Sequence, residues 1–205
     1  MISTAMDWGI KYRPRRLEDV LMTSWLKISL SKVVQQKGGI SLLFWGRPGC
    51  GKTTVAKLIN PENTVFINCS TNNSIDTIRW IESEFVSGVV TGGRRLLLLD
   101  EADNLTTEAQ AAIRAVSEEL AIHNDFILTA NDPNKLSEAV RSRFLPLKFD
   151  LEKSDDLTLE LKTLLRRISL LEGLSLPNEK SLEEIVEKTF PDVRRMIKTL
   201  QIEMN

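Results

Sequence analysis

Residues 46–53 read GRPGCGKT, and residue types at that spacing suit one kind of ligand, a string of phosphates. Gly46, Gly49 and Gly51 let the backbone turn tightly enough for successive N–H groups to converge on an anion. Arg47, Pro48 and Cys50 stand between them, and Lys52 supplies a cation for the outer phosphates. Thr53, followed by Thr54, offers a hydroxyl to Mg2+. Farther along, RLLLLDEAD (95–103) ends an apolar run on two acids. Asp100 suits Mg2+, directly or through its water. Glu101 suits orienting and deprotonating an attacking water. Together the two segments predict hydrolysis of a nucleoside triphosphate.

Such groups work only if the chain brings them to one place. Five apolar runs cross residues 40–149: ISLLFW (40–45), TVFIN (64–68), RLLLLD (95–100), DFILTA (125–130) and FLPLKF (144–149). Several lack polar alternation, as strands covered on both faces do. Helical patterns lie between them. SWLKISLSKVVQQKGG has a serine start and a Gly-Gly stop, and TTEAQAAIRAVSEEL sets Ala109, Ile113, Val116 and Leu120 at helical spacing behind a threonine cap. This alternation implies an α/β fold with a parallel sheet, whose ligands bind at the carboxyl ends of the strands. Beyond residue 150 the strand signals stop. Three helical segments follow, broken by Gly173, Pro177 and Pro191. The expected division is 1–150, a nucleotide-binding α/β domain, and 151–205, a helical lid.

Bulk composition narrows the class. With 42% hydrophobic and 27% charged residues over 205, the chain reads as soluble and globular. A net charge of −1 excludes a globally basic nucleic-acid binder, so any DNA contact must come from a local patch. Residues 1–40 hold such an asymmetry, seven Lys/Arg against three acids. Two cysteines are too few for a disulfide framework or a four-ligand zinc site, and the single His123 argues against a histidine-based centre. No apolar stretch is long enough for a membrane span and no signal-peptide core is present, so a reducing, cytoplasmic setting is expected.

The order KYRP (11–14), LEDV, the glycine loop, LLLLDEAD, LTAN (128–131), SRF (142–144) and FPDVRR (190–195) is more specific than any one of these motifs. In that order the chain resembles the AAA+ ATPase subunits of sliding-clamp loaders, the replication-factor-C-like group. It looks closest to the large-subunit loaders of T-even-type phages. The resemblance implies an AAA+ P-loop fold of five parallel strands with a three-helix lid, and ATP and Mg2+ as cofactors. It also implies other clamp-loader subunits, a sliding clamp and primer-template DNA as partners, with no membrane. If the source is viral, the setting is the host cytoplasm.

Carried over residue by residue, the resemblance makes Asn131 a sensor that positions the lytic water beside Glu101. It makes Arg143 an arginine finger acting in trans on a neighbour's γ-phosphate, and Arg194 a lid arginine reaching its own subunit's nucleotide. Tyr12, Arg13 and the backbone at Val20 would close over adenine. Arg79 and Arg114 would face DNA phosphates, while Arg141 and Arg195 stay ordinary surface charges. Departures are Phe144 where the family has cysteine, expected as the first residue of the last strand, and Pro191 before Asp192. A third is the expected lack of a collar domain after the lid. A two-domain RNA helicase, which the letters DEAD suggest, needs a second α/β domain. The remaining alternatives are a helicase loader or branch-migration motor, a non-hydrolysing assembly module, and a small-molecule kinase.

Overall fold

A strand in which every residue is apolar can be buried only between two layers, and this chain is built that way. The structure, a computed structural model, describes residues 6–35, 39–87 and 93–204. Its elements begin with α1 (Trp8–Lys11), α2 (Ser24–Gln35), β1 (Ser41–Gly46), α3 (Lys52–Ile59), β2 (Thr64–Asn68) and α4 (Ile75–Ser87). They continue with β3 (Arg95–Asp100), α5 (Thr107–Glu119), β4 (Asn124–Ala130), α6 (Glu138–Arg143) and β5 (Leu145–Phe149). The three long helices α7 (Asp155–Leu171), α8 (Glu179–Thr189) and α9 (Val193–Met204) follow.

The five strands form one parallel sheet in the order β2-β3-β4-β1-β5. One face carries Leu43, Leu97, Leu99, Phe126 and Leu128 against Ile78 and Ile81 of α4 and Ile113 of α5. The other carries Leu42, Phe44, Leu96, Leu98 and Ile127 against Leu26 and Leu30 of α2 and Val55 and Ala56 of α3. Leu96 through Leu99 are each at most 1% exposed, two to each face, which accounts for the unbroken leucine run. Pro146 is tolerated because β5 lies at an edge, where a missing N–H breaks no second ladder.

The α/β fold class is the one the sequence implies, and the strands match its apolar runs to within a residue at either end. Two short elements differ. Ser137 caps α6, its hydroxyl accepting from Val140 N at 3.4 Å, so Arg141 and Arg143 stand in the last turn of a helix. Phe144 was expected to begin the strand; it instead closes α6, its N–H donating to the Val140 carbonyl at 3.1 Å. The ring is buried beside Val140 and Leu136. The threonine cap before α5 is present, with Thr106 Oγ1 accepting from Ala109 N at 3.2 Å. Gly38 of the Gly-Gly stop lies outside the described residues.

Helices α7, α8 and α9 share a third core, and α1 joins it. Trp8 is buried with Leu161, Leu165, Ile185, Met196 and Leu200. Its backbone N–H donates to Gln201 Oε1 at 3.0 Å. Glu172, just past α7, accepts from Lys11 Nζ at 2.7 Å and from the Tyr12 hydroxyl at 2.6 Å. The first described helix, which sequence order places with the sheet, therefore packs on the lid.

Candidate nucleotide site

The strand register brings the chemistry to one edge. Leu99 pairs with Leu128 and Trp45 with Ala130, so Gly46, Asp100 and Asn131 all emerge at the carboxyl end of the sheet. The loop from Gly46 to Gly51 then turns into α3, with Lys52 as that helix's first residue. Gly49 has φ +75°, and a Cβ there would meet the Asp192 carboxylate at 1.8 Å. Backbone conformation and crowding both require glycine at this position.

Lys52 is 8% exposed. Its Nζ donates to the carbonyls of Gly46 at 2.7 Å and Arg47 at 2.9 Å and to Asn131 Oδ1 at 3.0 Å. Burial pushes its pKa below the usual lysine value, with nearby acids Asp100 and Asp103 opposing that shift. Cys50 is a buried thiol donating to the Arg47 carbonyl at 2.8 Å, and burial raises its pKa. Thr53 Oγ1 donates to Asp100 Oδ1 at 2.6 Å, which places a hydroxyl and a carboxylate side by side. Among the described residues no cluster of three or more His, Cys, Asp or Glu could hold a metal ion. That donor set suits Mg2+, a cation that keeps waters and borrows phosphate oxygens for the rest of its shell.

Glu101 is the one non-glycine residue with positive φ among those described (φ 56°, ψ 44°). Thr129 holds it there. The Thr129 hydroxyl, 1% exposed, accepts from Glu101 N at 2.9 Å and donates to Asp100 Oδ1 at 2.7 Å. A left-handed residue straight after a strand turns the Glu101 side chain away from the line of β3. Its carboxylate accepts from the Ser70 hydroxyl, itself reached by Asn104 Nδ2 at 3.2 Å. The Asn131 backbone is pinned in turn, because Asp103 Oδ2 accepts from the N–H groups of Asn131 and Asp132 at 3.2 Å each.

A cavity of about 480 Å3 opens over the loop. Its floor includes Pro48, Cys50, Lys52, Thr53 and Thr54, with Asp100, Glu101 and Asn131 to one side. Tyr12, Arg13 and Val20 also line it, as do Ile168 and Arg167 of α7 and Arg194 of α9. Val20 is buried, and a Cβ on Gly51 would meet its Cγ1 at 3.3 Å. Arg143 is not in the cavity wall. Its guanidinium donates to the Ser117 carbonyl of α5 at 2.8 Å, while its Nε is buried without a partner. Arg79 pairs with Asp76, and Arg114 with Glu118, each at 3.3 Å on exposed helix faces. Arg141 and Arg195 are exposed.

Thr129, Ser70, Asp103 and Arg167 were not singled out from sequence. Thr129 left a trace in LTAN and Asp103 in RLLLLDEAD, but their contacts with Asp100 and with the Asn131 backbone depend on how the strands and loops come together. Gln110 was also missed. Buried on α5, its amide donates to the carbonyls of Leu105 and Lys135 and accepts from Ser137 N at 2.7 Å. It thereby ties the segment after Asp100 to the start of α6.

The profile of the ATPase family associated with various cellular activities (AAA) matches residues 42–149, which span all but the first residue of the sheet and carry Lys52, Thr53, Asp100, Glu101 and Asn131. The chain belongs to that family. It is 35% identical over 205 residues to replication factor C small subunit 2 of Pyrobaculum aerophilum, covering 95% of this chain and 63% of that protein. The Saccharolobus solfataricus replication factor C small subunit is 33% identical over 204 residues, with 95% and 60% covered. The chain thus spans about three fifths of these relatives' length. Among solved structures, the Thermotoga maritima RuvB Holliday junction branch migration motor superposes with a TM-score of 0.73 at 22% identity. That match covers 92% of this chain and 64% of RuvB, and establishes the AAA+ fold.

Proposed function

We propose that this chain is the motor part of a sliding-clamp loader subunit, binding and hydrolysing ATP within an oligomer that places a clamp on primer-template DNA. One observation carries the reading. Lys52, Thr53, Asp100, Glu101 and Asn131 share one cavity, and the lid residue Arg194 lines it too. Extended likeness to replication factor C small subunits supports the choice within the family. The finer affinity to T-even-type phage loaders rests on the order of KYRP, TAN and FPDVRR, and a cytoplasmic setting follows from the same reading.

In this reading the loop N–H groups and Lys52 hold the phosphates, and Tyr12, Arg13 and Val20 border the adenine. Mg2+, held beside Thr53 and Asp100, would neutralise charge on the phosphate oxygens. Glu101 orients and deprotonates the attacking water, and Asn131 holds that water from the opposite side. Charge developing on the γ-phosphate is met by Lys52 and Arg194, and by Arg143 of a neighbouring subunit. The position of Arg143, outside its own cavity and with an unsatisfied Nε, supports a role in trans. Residues 1–150 and 151–205 act as base and lid, except that α1 belongs with the lid, whose core holds Trp8. Intact Lys52, Thr53, Asp100 and Glu101 argue against a non-hydrolysing assembly module. Arg79 and Arg114 contact DNA by exchanging their intrahelical carboxylates for phosphates.

The test is the ATPase rate of this chain with partner subunits, measured with and without clamp and primed DNA. Stimulation by both is expected. Unstimulated turnover, equal with and without them, would overturn the assignment.

A further inference from the structure

Asp192 places a negative charge against the loop that holds phosphates. It stands just before α9, its Oδ1 accepting from Arg195 N at 2.9 Å and its carbonyl from Met196 N at 3.0 Å. It therefore caps the helix that carries Arg194. The same carboxylate abuts Gly49, since a Cβ built there would fall 1.8 Å from Oδ1, 2.3 Å from Cγ and 2.9 Å from Oδ2. Among the described residues no cation lies within ion-pair distance of it. Capping needs only an acceptor oxygen, which asparagine or serine supplies as well as aspartate. The charge is thus surplus to the cap. It lies against Gly49 of the glycine loop.

We propose that Asp192 is a positioning residue of the nucleotide site with two effects. Its contact with Gly49 seats the first turn of α9 on the phosphate loop, which sets where Arg194 enters the cavity. Its charge holds the affinity for polyphosphate below what the loop alone would give, easing departure of the diphosphate product. The proposal rests on the reading of residues 46–53 as an ATP site. A fixed carboxylate a few ångströms from bound phosphates opposes them by an amount that grows with phosphate charge and shrinks with salt.

The experiment is calorimetric titration of the full chain with Mg2+-ATP, Mg2+-ADP and adenosine, for the wild type, Asp192→Asn and Asp192→Ser. Both variants keep a capping oxygen and lose the charge. ADP and ATP are expected to bind roughly three- to tenfold tighter to both. The gain should diminish at high salt, and adenosine should bind as it does to the wild type. Folded variants that bind ADP no tighter, or that gain equally for adenosine, overturn the proposal. A wild-type chain that binds no ATP refutes the nucleotide site itself, and this proposal with it.

Discussion

Under the proposed function Lys52 holds phosphates and Glu101 activates water, and separate variants distinguish the two. Lys52→Ala should abolish detectable ATP binding, because Lys52 is the cation the loop itself holds, its Nζ donating to the Gly46 and Arg47 carbonyls. Glu101→Gln should leave ATP binding in place and cut assembled ATPase turnover by roughly 10²-fold or more, measured as phosphate release. Ser70 accounts for a subtler effect. Its hydroxyl engages the Glu101 carboxylate, so Ser70→Ala frees that base and should shift the ratio of DNA-free to DNA-stimulated turnover. The thiols offer a check on burial. Cys69 is fully buried and its pKa is pushed from 9.0 to about 12, chiefly by burial. Its folded pKa lies above the unfolded one, so this contribution to stability is full below pH 9 and is lost as pH rises toward 12. Titration with a disulfide reagent at pH 8 should find neither cysteine reacting rapidly in the native chain, and both after denaturation. At this scale the candidates Gly46–Thr53, Asp100 and Glu101 could be picked out from local spacing alone. Thr129 and Asp192 could not, since each acquires its role from a partner on a different element.

Among the elements, β3 was readable to the residue because four leucines in succession within a six-residue run, too short for a helix, suit a strand covered on both faces. Helix α5 was readable from its threonine cap and its apolar spacing. Helices α1 and α6 escaped, being four and six residues long, too short for any period to emerge. Their structure comes from capping by Asp7 and Ser137 and from tertiary burial of Trp8 and Val140. Trp8→Ala should therefore destabilise the chain by about 3–5 kcal/mol in denaturant unfolding, as expected for emptying a packed indole site. The lid also predicts an acid response. Glu172 and Glu179 have pKa values lowered from 4.5, the first by hydrogen bonds from Lys11 and Tyr12, the second by one from Lys162. Depressed carboxylates stabilise above their unfolded pKa, and that contribution fades as pH falls below about 4.5. Lys162→Met should flatten this acid limb in thermal melts taken from pH 6 to pH 3.

For the whole molecule, the informative residue is one that its own site does not use. Arg143→Ala should leave ATP binding by the isolated chain unchanged and lower turnover of the assembled complex by roughly 10³-fold or more. Loss of activity in the unassembled chain would instead place this arginine in cis. The wider connectivity has a consequence for synthesis. Because Trp8 packs among Leu161, Ile185, Met196 and Leu200, the sheet is in effect an insertion within a helical unit whose two halves lie at opposite ends of the described chain. A nascent chain can close the sheet once β5 has emerged, whereas α1, which precedes every strand, gains its partners only as α7, α8 and α9 follow. The sheet would thus be folded before the helices that cover its carboxyl edge, and the first of the described helices would be among the last to find its place.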